Sequence, residues 1–129
     1  MSQHVLSHIS QVSAEHSSWL RGIEFYNDEL RIMRHRLEEV SPKYTSPDVK
    51  KDVEHYQNQF MVQETNLNHL KHDINNHFKH MESDVVTHAQ HLSNVTLAEH
   101  NAMRDKYVTL EKIINELRHA FNRFLSKTM

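Results

Sequence analysis

The chain is 129 residues long, with one Gly, two Pro and 37% apolar residues, and turn formers are too sparse for a β-sandwich or an α/β fold. A formal charge of −2 gives no polybasic signature for nucleic acid or a membrane surface, and the lack of Cys excludes disulfides, thiolate catalysis and Cys-ligated zinc or iron–sulfur sites. No run approaches the 18 apolar residues of a membrane span, and MSQHVLSHISQVSAEH lacks the charged lead and apolar block of a signal peptide. The expectation is a cytoplasmic protein with one helical-bundle domain over 1–129 and no membrane or nucleic-acid partner.

In the first third, Val5, Ile9, Val12, His16, Trp19 and Ile23 open a row that continues through Tyr26, Leu30, Met33 and Leu37 to Val40. Its steps alternate between four and three, which is a heptad seam and predicts a helix near 10–40. VSPKYTSPD interrupts it. Pro42 ends one helix, and Ser46 is a candidate N-cap for the next, with Pro47 in the first helical position and Asp48 near the positive helix end. A second seam runs from Val49 through Phe60, Gln63 and His77 to Met81 and predicts a helix over 47–81. A third runs from His100 to Phe124 and predicts a helix over 97–126, with Thr96 and Glu99 at capping-box spacing.

Between the last two helices, 82–95 holds no Gly or Pro. It either extends the second helix to about His91 or forms a short separate helix. The favoured reading is a break or bend near Glu82–Asp84, because the extended helix would span about 67 Å, long for a domain of this size. The fold class expected is all-α: an antiparallel up-down bundle of three long helices, or four with a short helix at 82–95, packed like a coiled coil. Off the seams, Phe25 and Ile32 lie seven apart on one face and suit a dimer interface or a fourth helix. Gly22 inside the first helix costs about 1 kcal/mol relative to Ala, which either a close approach by another backbone or neutral drift would explain.

Thirteen histidines are the other outstanding feature. His35, His55, His69, His72 and His119 fall off the seams, where a helix-surface imidazole is simply solvated. His16, His77 and His100 instead replace apolar residues inside the seams, and a buried imidazole without a partner costs about 1–3 kcal/mol. With the first turn centred at Tyr44–Thr45, His16 faces Asp73, one turn from His77. With the second connection over 82–95, His77 faces His100, with Glu99 close by. If the second helix runs to His91, His88 takes the place of His77. The metal-ligating candidates are therefore His16, Asp73, His77 and His100, a donor set that suits Fe, Mn or Zn. The bland alternative is a hydrogen-bonded polar layer that fixes register. A second, local candidate is the strip His77, His80, Asp84, His88 and His91, on one face of a continuing helix.

HNAMRD, with His100 and Asp105, and HVLSH, with His4 and His8, carry a partial resemblance to hemerythrin-like domains. That family's pattern implies a carboxylate in HYQNQ, where Gln59 stands, and Asp105 sits one position off the seam. The ferritin-like pattern is rejected, since Glu116–His119 is its single Glu-x-x-His and lies off the seam. FYNDELRIMRHRLEEV, VEHYQNQF and LKHDI resemble blocks in a group of small, uncharacterised all-helical bacterial proteins. This resemblance implies a helical fold from about Trp19 onward and no transferable chemistry.

Enzyme motifs are missing: the sequence has no Gly-rich phosphate loop, nucleophile elbow or HExxH. A non-enzymatic module for protein interaction or self-association, through the Phe25 and Ile32 face, is the first expectation. A metal-binding bundle is the second. A pH-responsive module is the third, since unperturbed imidazoles titrate near 6.5.

Overall fold

The computed structural model describes residues 3–87 and 93–128, with side chains described over 9–85 and 93–128. It is all-α. Helix α1 (Gln3–Val40) leads through a single 3-10 turn (Ser41–Lys43) to α2 (Pro47–Thr87), and α3 (Asn94–Thr128) follows. Pro42 brings no N–H to the helical ladder, so α1 gives way to the tighter turn, in which the Tyr44 N–H donates to the Ser41 carbonyl at 3.2 Å. The expected start of α2 is met: Pro47 is its first residue, Asp48 lies in its first turn, and the Lys50 N–H donates to the Ser46 carbonyl at 3.0 Å.

Three boundaries differ from those expected. First, α1 begins at Gln3 rather than near 10. Second, α2 runs unbroken through Glu82–Asp84 to Thr87, so no separate helix begins at 82. Residues 82–87 continue α2 and Asn94 begins α3, while 88–92, including His88 and His91, lie outside the described residues. Nothing in 82–87 stops the ladder, and Asp84, three after Met81, keeps to the seam and is buried. Third, α3 is capped by Ser93 and not by Thr96. Ser93 Oγ accepts the Thr96 N–H at 3.1 Å, and Asp84 Oδ2 accepts the Ser93 N–H at 2.8 Å, so a buried carboxylate of α2 fixes the start of α3.

The chain divides into two compact units, Met1–Ile23 with Asn68–Val108 and Glu24–Leu67 with Thr109–Met129. In the second unit, α2 runs against α1 and α3. Tyr26 accepts a hydrogen bond from Asn115 and Glu29 pairs with Arg118, whereas Arg34 reaches back to Glu64. Its most deeply buried side chains are all apolar: Leu30, Leu37, Phe60, Leu67, Ile114 and Phe121. Phe25 and Ile32, the off-seam pair, are well exposed in this unit.

The first unit is built differently. Ile23 and Ile74 are fully buried, but so are Thr96 and His100, and His16, His77 and Asp84 are buried with them. Gly22 also lies here, and the approach it permits comes from a side chain and not a backbone: the Tyr107 ring packs against it. A Cβ at Gly22 would overlap the Tyr107 hydroxyl and lie 2.8 Å from Cζ. Gly22→Ala should therefore destabilise the protein by about 1–3 kcal/mol despite Ala's better helix propensity. In Tyr107→Ala, the same glycine change should become stabilising by up to about 1 kcal/mol. Denaturant midpoints across this four-member cycle test the contact.

Candidate metal centre

Each helix of the first unit contributes one seam histidine. His16 comes from α1, His77 from α2 and His100 from α3, and one ligand atom from each lies within 4.8 Å of the other two. The ring centroids are 5.3 Å apart for His16–His77, 5.3 Å for His16–His100 and 5.7 Å for His77–His100. All three are buried, at 2%, 6% and 2% exposure for His16, His77 and His100. Aromatic rings wall the cluster. Trp19 stacks on His100 at 4.8 Å, and Phe78 lies 5.1 Å from His16.

Hydrogen bonding does not account for these rings. Both nitrogens of His16, both of His77 and Nδ1 of His100 are buried with no hydrogen-bond partner among the described residues. The engaged nitrogen is His100 Nε2, 3.2 Å from Glu15 Oε1. Glu15 is itself held from two sides by Arg104, whose Nε donates to Oε2 at 2.7 Å and whose terminal nitrogen donates to Oε1. That guanidinium, with His100 adding in the same direction, outweighs partial burial and holds the Glu15 carboxyl down at about 2. A carboxylate fixed in this way orients the His100 ring and leaves Nδ1 free. The second carboxylate is Glu99. Its Oε2 lies 3.5 Å from His77 Nδ1, longer than a well-formed hydrogen bond, and 3.0 Å from Nδ1 of the exposed His80.

Burial pushes the His16 imidazole down to about 4, and the neighbouring His77 and His100 push the same way. His77 is lowered by the same two causes, burial first, against an opposing pull from Glu99. Neutral imidazoles result, as a metal requires. In the metal-free protein the unfolded His16 takes up a proton below about pH 6.5, while the folded one resists until about 4. Stability should therefore fall as pH drops through that window, by on the order of 3 kcal/mol from His16, with His77 adding in the same direction. Denaturant midpoints in chelator at about pH 7.5 and about pH 5 should show the loss, and His16→Leu should reduce it.

The expected layer of His16, His77 and His100 is thus assembled, and Glu99 stands beside it as expected. Asp73 does not join it. Its Oδ2 lies 3.9 Å from Lys106 Nζ, at the rim of a surface hollow that also holds His77, His80 and Glu99. His16 packs against His77, one helical turn along from Asp73. Glu15 was missed, although it flanks a seam histidine just as Glu99 does. Of the second candidate strip, His77 and Asp84 are buried and His80 is exposed, while His88 and His91 lie outside the described residues. His35, His55, His69, His72 and His119 are exposed, and so is Asp105. No protein-family model, curated protein or solved structure matches this chain.

Proposed function

We propose that the protein binds one divalent transition-metal ion through His16, His77 and His100. The observation that carries this reading is the set of five buried imidazole nitrogens without partners. Left bare, each costs about 1–3 kcal/mol, whereas a metal engages one nitrogen of every ring at once. A tetrahedral ion bound at about 2.0–2.1 Å needs its nitrogens about 3.3 Å apart, so the rings close inward by small side-chain rotations when it arrives. Three imidazole nitrogen donors with no oxygen among them favour zinc or iron over manganese, and three protein ligands leave a further coordination position. Glu15, clamped by Arg104, supports the His100 ring from outside.

The test is titration of chelator-treated protein with Zn²⁺ by calorimetry and with Co²⁺ by visible absorption. The expected result is saturation at about one equivalent and a raised melting temperature, by about 2.7 kcal/mol of stabilisation at a hundredfold excess over Kd. Both effects should vanish in His77→Ala/His100→Ala. Uptake that never saturates, or that survives in the double variant, contradicts the reading.

Self-association is a second reading, supported by the exposure of Phe25 at 50% and Ile32 at 60% on one face. Sedimentation of the wild type against Phe25→Ser/Ile32→Ser decides it: a dimer lost in the variant supports it, and a monomeric wild type removes it.

A further inference from the structure

The two carboxylates beside the histidine cluster are held very differently. Glu15 is occupied on both oxygens by Arg104, and the guanidinium places a fixed positive charge on that side of His100. A cation approaching there meets like charge and a carboxylate already paired. Glu99 has no arginine. One of its oxygens lies 3.0 Å from Nδ1 of His80, which is 58% exposed, and 3.5 Å from Nδ1 of His77, whose side chain is 4% exposed. A single oxygen therefore stands between an imidazole in solvent and an unpartnered imidazole of the cluster. All three line one surface hollow, with Asp73 at its rim and Lys106 drawn to Asp73 at 3.9 Å.

We propose that His80 and Glu99 form an outer station that captures a divalent metal ion from solvent and hands it inward to His77, and so to the buried cluster. The inference rests on the metal-binding reading above and adds the path. An exposed imidazole and a carboxylate 3.0 Å apart offer one nitrogen and one oxygen donor to a hydrated cation, enough for transient capture. Rotation of the Glu99 carboxylate then carries the ion toward His77 Nδ1. Glu99 supplies negative charge where the ion must shed water, and the Glu15 side, neutralised by Arg104, supplies none.

Trp19 reports the event. It is the only tryptophan, and it stacks on His100 at 4.8 Å, so a paramagnetic ion in the cluster quenches it. The experiment mixes chelator-treated full-length protein with excess Co²⁺ or Ni²⁺ in a stopped-flow fluorimeter, comparing wild type, Glu99→Gln and His80→Ala. Release into excess chelator is followed in the same way. The expected result is uptake about tenfold slower in each variant, with slower release as well and the same final quench as the wild type. Uptake at the wild-type rate in both variants overturns the inference and leaves the metal site standing. Faster release with unchanged uptake in Glu99→Gln also overturns it, because Glu99 is then a ligand and not a station. A wild type that shows no quench at any concentration overturns the metal site itself. Both changes are at partly exposed positions, and circular dichroism confirms that each variant is folded.

Discussion

A chain carrying His16→Leu, His77→Leu and His100→Leu should melt well above the metal-free wild type and should bind no metal. Three imidazoles sit in the core of the first unit with five nitrogens unpartnered. Each such group carries a desolvation cost of about 1–3 kcal/mol, and leucine of similar volume removes it while adding apolar burial. The neighbours are suitable, since Trp19 and Phe78 already wall the space. Glu15 loses its contact with His100 but keeps Arg104, so no charge is stranded. The three changes touch one another and their gains will not simply add. A net stabilisation of about 2–6 kcal/mol is expected once imperfect repacking is allowed for. Thermal unfolding in chelator measures it. If the triple variant is instead less stable than the metal-free wild type, the histidines are a structural layer that holds the helices in register, and the functional reading loses its main support. A stability gain combined with lost metal uptake would place this cluster among sites kept at the expense of the fold.

The opposite behaviour is expected of the second unit. Phe121 is fully buried and meets Phe60 edge-on at 5.1 Å and Tyr56 at 5.4 Å. Phe121→Ala removes a ring from the middle of this aromatic group and should cost about 3–5 kcal/mol, a large share of the stability of a small protein. Phe121→Leu should cost markedly less, because it leaves a smaller void. Denaturant unfolding of the two variants measures the difference. Equal, small losses would mean that the aromatic contacts in α2 and α3 are not the packing centre described.

The seams were readable because burial follows a four-three step, and the steps survive almost unaltered. Val12, His16, Trp19, Ile23, Tyr26 and Leu30 are all buried, and in α2 the row extends past Met81 to Asp84. Length alone is no ground for a break at Glu82–Asp84, where the helix continues to Thr87. A buried aspartate on the seam has a local purpose that spacing does not display: it accepts the Ser93 N–H and so sets the start of α3. The three-histidine layer was legible because polar residues stand out against an apolar row. Its carboxylates were harder. Counting residues across the first connection sets Asp73 level with His16, whereas in the packed helices His77, one turn along, meets His16. Glu15 and Arg104 form a pair across α1 and α3, separated by 89 residues, and no local pattern announces such a pair. Gly22 was legible as an oddity, but the Tyr107 ring that explains it required the packed helices.

Whether the cluster holds a metal is read from untagged protein, prepared without chelators, whose metal content is measured by mass spectrometry on wild type and His77→Ala/His100→Ala side by side. A tag would add histidines and obscure the result. About one equivalent of zinc or iron per chain is expected in the wild type and almost none in the double variant. The same metal content in both proteins would contradict a metal in this cluster, as would a metal-free wild type whose melting temperature does not rise when zinc or iron(II) is added.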